Sequence, residues 1–137
     1  MDVVTLVARI LLAAMFLLSG INHLTKLGAM TGYAQFKKVP APKAAVTVSG
    51  VLLVLGGLSV ALGAWADLGA AVLAALSIVM GLKMHAFWAE TDPQAKQMEM
   101  VAFLKNLSMA GGLAFLAATY ATAENGEVAL SLTKSLF

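Results

Sequence analysis

The chain has 137 residues with a formal net charge of +2, is 61% hydrophobic and only 12% charged, and has a mean hydropathy of +0.89. A soluble chain of this size buries too little of its surface to hide so much apolar side chain, so part of the surplus must face lipid. It contains no cysteine, which excludes a disulfide, a thiol redox motif and a thiolate metal site within it, and its basic residues form no stripe suited to nucleic acid.

Four windows are long and apolar enough to cross a bilayer as helices, which takes about 20 residues. The first is residues 3–23, broken only by Arg9. Its apolar run from Val3 to Ile21 is too long for a signal peptide and reads as a span. Arg9 lies about two turns in, where a charge is costly. Two readings stay open: a side chain snorkelling to headgroups, or an inward arginine that pairs with an acid or holds a ligand oxygen. Asp67, at the same depth, is the expected internal partner.

A polar connection follows, Leu24–Lys43, carrying Lys37-Lys38, Pro40 and Pro42. Residues 27–36 read equally as a short interfacial helix or as a plain loop. The second span is expected over 44–64 and the third over 67–85, joined by the tight turn Gly63-Ala64-Trp65-Ala66, which makes them antiparallel neighbours. After the third span, Asp92 and Pro93 form a helix-start signal, so the fourth helix should begin outside the bilayer and span 101–123. The tail after Ala123 is mixed, with weak apolar character. The expected fold class is therefore all-α: one domain over 1–137, folded as a four-transmembrane-helix antiparallel bundle.

The two longer connections and their flanks hold Lys26, Lys37, Lys38, Lys43, Lys83, Lys96 and Lys105, against Arg9 and Lys134 on the opposite face. That bias predicts a cytoplasmic lysine-rich face with both termini outside. Trp65 and Tyr120 should mark the outer interface and Trp88 the inner one. Small residues recur every fourth position at Ala110, Ala114 and Ala118, at Ala71 and Ala75, and at Gly57 and Ala61. In lipid such stripes let helices approach, within the chain or against a partner subunit or second copy.

Alternation gathers His23, Lys26, His85, Trp88, Lys105 and Asn106 at the lysine-rich mouth, whereas the other end reads as nearly bare. Histidine and lysine donors beside an aromatic ring suit a quinone carbonyl or an anionic head group. Two histidines also suit axial ligation of haem, though no spacing tests it. The bland alternative is a set of ordinary headgroup anchors. No catalytic constellation, phosphate loop or metal-binding spacing is present in the sequence, so the metal question stays open.

Several stretches resemble the DoxX-like family of bacterial membrane proteins: Ala8-Arg9-Ile10-Leu11-Leu12 running into Phe16-Leu17-Leu18-Ser19-Gly20-Ile21-Asn22-His23-Leu24; Val39-Pro40-Ala41-Pro42 with Gly56-Gly57; His85-Ala86-Phe87-Trp88; and Phe103 to Gly112. The resemblance implies a four-helix bundle in the bacterial inner membrane, associated with membrane redox systems. Relatives often carry an acid in the second span before the glycine pair. Here Thr47-Val48-Ser49-Gly50-Val51 has none, which removes one expected partner of Arg9. Three functions follow from these readings. The first is an accessory subunit of a quinone-linked redox system, without turnover of its own. The second is a structural or assembly subunit of a larger complex. The third, ranked last, is a small transporter or lipid-handling protein.

Overall fold

The computed structural model describes residues 2–123 and 128–136. Five α-helices appear in chain order: α1 (Asp2–Thr25), α2 (Leu27–Phe36), α3 (Pro42–Leu62), α4 (Ala66–Met84) and α5 (Pro93–Thr122), with a single 3-10 turn at Phe87–Ala89. Among the described residues there are no strands, and four helices are long and apolar enough to cross a membrane. The all-α expectation holds, the expected spans 3–23, 44–64, 67–85 and 101–123 each fall largely within one helix, and residues 27–36 form a helix. α5 starts where its signal lies, with the Asp92 carboxylate accepting from the Ala95 amide at 2.8 Å and Pro93 in the first turn.

α1 packs on α3, α3 on α4, and α4 on α5, while α2 leans on α3. Between lipid-facing helices there is little hydrophobic drive, so close packing has to supply the attraction. Glycines provide the room. A Cβ on Gly20 of α1 would stand 2.7 Å from Val54 Cγ2 and 2.9 Å from the Gly50 carbonyl of α3, and one on Gly56 would stand 2.7 Å from Leu73 Cγ of α4. The core between them is Ala13, Phe16, Leu53, Val60, Ala70, Leu73 and Leu113. Outside it, residues such as Leu11, Leu18, Leu55 and Phe115 stand 60–77% exposed, a surface that water would oppose and lipid accepts.

The small-residue stripes divide. Gly57 packs on Leu17, and Ala110 is buried, but Ala71, Ala75, Ala114 and Ala118 face outward. A strict four-residue repeat advances about 40° per step around an α-helix, so it drifts off any contact line. The inward line of α5 instead alternates steps of three and four, through Asn106, Ala110, Leu113, Ala117 and Tyr120.

The tail departs from its expectation. Residues 128–136 return across the end of the bundle where α1 starts and α5 stops. The Leu132 and Thr133 amides each donate to the Gly63 carbonyl at 3.1 Å, and Thr133 Oγ1 accepts from the Trp65 amide at 2.7 Å. Burial alternates along this strap: Ser131, Thr133 and Ser135 turn inward, and Leu130, Leu132, Lys134 and Leu136 outward. The receiving turn uses left-handed backbone at Gly63 (φ +67°) and Trp65 (φ +48°).

Candidate functional site

At the lysine-rich end, the helix-end residues sit around two cavities. One, about 310 Å³, lies beneath α2 and is lined by His23, Tyr33, Ser49, Lys83 and His85 among apolar neighbours. The other, about 240 Å³, lies deeper among α1, α4 and α5 and is lined by Ser77, His85, Lys105 and Asn106 with Met15, Met80 and Met109. His85 therefore stands on the wall of both. Of the six residues expected at this mouth, His23, His85, Lys105 and Asn106 border a cavity; Lys26 is exposed and borders neither of these two. Trp88, 54% exposed, packs edge-on against Phe87 and Phe103 at 5.1 and 5.7 Å, and also lines neither cavity.

Both histidines are oriented through Nδ1. His23 Nδ1 lies 2.8 Å from the Ser19 carbonyl, which only accepts, so the proton is on that nitrogen. His85 Nδ1 lies 2.7 Å from Glu99 Oε2, and the other carboxylate oxygen accepts from Lys37 Nζ at 2.7 Å. In each ring Nε2 is left to meet another partner, as in sites where a second hydrogen bond fixes the tautomer. Glu90 stands 3.7 Å from the same lysine, extending the chain of charges toward the surface. Partial burial acts to lower the Lys37 pKa, but the hydrogen bond to Glu99 and the negative potential of Tyr33, Glu99 and Glu90 outweigh it and hold Lys37 above its usual 10.5.

Glu99 and Lys37 were absent from the expected site. A signal for Glu99 existed: it stands four residues before Phe103 and seven before Asn106, on the inward line of α5. Lys37 could not be found that way, because its position depends on how α2 folds back over α3.

The opposite end is not bare. Arg9 is 1% exposed, so it does not snorkel. Its Nη1 donates to the Tyr120 hydroxyl at 2.6 Å and to Ser131 Oγ, and its Nη2 to the Leu130 carbonyl at 2.5 Å. The Tyr120 and Ser131 hydroxyls are 2.6 Å apart. Tyr120 is fully buried and serves as a bundle-interior acceptor, not as the interfacial anchor expected. Asp67, also fully buried, is not the hydrogen-bonding partner of Arg9: its Oδ2 accepts from Ser135 Oγ at 2.8 Å and from the Leu136 amide. The strap thus serves both buried charges. Sequence reasoning missed it because inward Ser131, Thr133 and Ser135 alternate with outward leucines, a pattern opposite to that of a core-facing strand.

Among the described residues, no three His, Cys, Asp or Glu side chains gather as metal ligands. A family model described as DoxX matches residues 4–86, more than half of the chain. The chain belongs to the DoxX family. The DoxX match runs from α1 to just past α4, so it includes Arg9, His23, Asp67 and His85, while Glu99, Tyr120 and the strap lie beyond it. No curated protein and no solved structure matches the chain.

Proposed function

We propose that this DoxX family membrane protein binds a quinone-like ligand of the bilayer at its lysine-rich end, as an accessory subunit of a membrane redox system and without turnover of its own. The observation that carries the reading is His85: Glu99 engages its Nδ1, and the residue stands on the wall of two adjoining cavities. With the proton on Nδ1 facing Glu99, Nε2 is an acceptor suited to a quinol hydroxyl, while Lys83, Lys105 and Asn106 supply donors for a quinone carbonyl. The methionines and aliphatic residues of the walls suit the flat ring, because flexible thioethers adapt to its faces. A cavity of about 310 Å³ is at the lower end of small-molecule sites, which favours a single-ring head over a haem macrocycle. The reading places the lysine-rich face in the bacterial cytoplasm, following the charge bias.

Extraction of protein purified with its native lipids, followed by mass spectrometry, should recover quinone. A short-chain quinol should bind saturably on titration, and His85→Ala should weaken binding about tenfold, the equivalent of one hydrogen bond at ~1.4 kcal/mol. Quinone-free protein whose affinity is untouched by His85→Ala refutes the reading.

The alternative, a structural or assembly subunit, draws on α5. Gly111 and Gly112 lie on its outward face with nothing within 4 Å of where a Cβ would stand, so a second helix has room to approach. A stoichiometric partner in mild-detergent pull-down supports this reading, and a chain that runs alone counts against it.

A further inference from the structure

The geometry points to a second binding site, at the other end of the bundle: Arg9 and Tyr120 form a receptor for a phosphate-type oxyanion, and the strap at 128–136 occupies it as a resident, displaceable ligand. Arg9 is not merely buried. Its charge has no carboxylate within 4 Å among the described residues, and its contacts are two hydroxyls and a backbone carbonyl, all neutral. Its Nε is buried and without a hydrogen-bond partner. A guanidinium presents two N–H donors along the Nε side in a fork that matches two oxygens of a phosphate. Here that edge is incomplete, and a buried charge without a counter-ion is costly.

Two of the three acceptors on Arg9, Leu130 O and Ser131 Oγ, come from the strap, and only Tyr120 belongs to the helical bundle. With the strap lifted, Arg9 keeps one of its three acceptors, the Tyr120 hydroxyl beside it. An oxyanion seated there takes the same donors, adds Nε, and supplies the missing negative charge. Gly63 lets Arg9 and the strap approach the turn closely, since any Cβ there would stand 2.5 Å from Arg9 Nη1 and 2.7 Å from Ser131 Cα. The strap's other anchors include hydrogen bonds to Asp67, Leu62, Gly63 and Trp65, with which the bound anion competes. The oxyanion comes from either of two sources, a lipid headgroup or free phosphate.

The absence of cysteine allows a single reporter, Ser135→Cys, whose reaction with a maleimide reads strap release. The full chain is assayed in mixed micelles with phosphatidylcholine alone, with added phosphatidate, or with added inorganic phosphate. Labelling that is slow in phosphatidylcholine and accelerated about tenfold by phosphatidate alone supports the site with a headgroup as ligand; acceleration by inorganic phosphate supports it with a soluble anion. Arg9→Gln should abolish the acceleration. If that variant does not fold, Arg9→Lys, which keeps the charge but loses the fork, should reduce the response at least threefold. Labelling indifferent to both anions, or acceleration that persists in the arginine variant, overturns the proposal.

Discussion

Tyr120→Phe isolates the polar network at the strap end, because the ring and its packing stay and only a hydroxyl leaves. That hydroxyl accepts from Arg9 at 2.6 Å and bonds Ser131 at 2.6 Å, inside a site where Tyr120 is fully buried. A hydrogen bond to a charged group contributes roughly 1.5–3 kcal/mol, and a neutral one about 1 kcal/mol. Side-chain hydrogen bonds between membrane helices average only about 0.6 kcal/mol, since the unfolded chain in lipid also finds partners. The buried cation places this case at the upper end: an expected loss of about 2–3 kcal/mol. Unfolding of purified protein in mixed micelles by increasing SDS fraction measures it. Combining Tyr120→Phe with Ser131→Ala completes a double-mutant cycle, and a shared network predicts a coupling of at least ~0.5 kcal/mol. A loss of 0.6 kcal/mol or less with additive single variants refutes the view that the strap and α5 jointly solvate Arg9.

Two further outcomes are expected. Gly63→Ala forces a side chain into left-handed backbone at φ +67° and toward Arg9 and Ser131, at a cost of about 2 kcal/mol in the same assay, whereas Gly112→Ala, with nothing within 4 Å, should be neutral or mildly stabilising. At the other end, Lys37 is held above 10.5, so the stability it contributes is fully present below that value and is lost as pH rises through the higher folded value. Unfolding midpoints measured from pH 9 upward should show that loss in the parent and not in Lys37→Gln.

The four long helices were legible because lipid leaves the chain few options: long apolar runs must be helical, and Asp92-Pro93 and Gly63 mark ends by chemistry that does not depend on the rest of the fold. Helix direction was equally accessible, and with it the gathering of His23, His85, Lys105 and Asn106. What escaped depends on rotation and on return. Ala114 and Ala118 share a spacing with Ala110 but not its direction, since a few tens of degrees separate core from lipid. Lys26 belongs to the same mouth in sequence, yet its position at the junction of α1 and α2 leaves it exposed. Arg9 looked equally suited to headgroups or interior because its partners, Tyr120 and Ser131, stand 111 and 122 residues away. No local pattern encodes a contact at that separation.

The alternation along the strap also sets a constraint on chain length. Ser131 meets Arg9, Thr133 the Trp65 amide and Ser135 the Asp67 carboxylate only in one register, and deleting Leu132 would turn Thr133 and Ser135 outward and Lys134 and Leu136 inward. The outward positions of the strap should therefore tolerate substitution far better than the strap tolerates a change in its count of residues. In a set of natural variants, insertions and deletions there would come in pairs, or be accompanied by loss of the buried arginine.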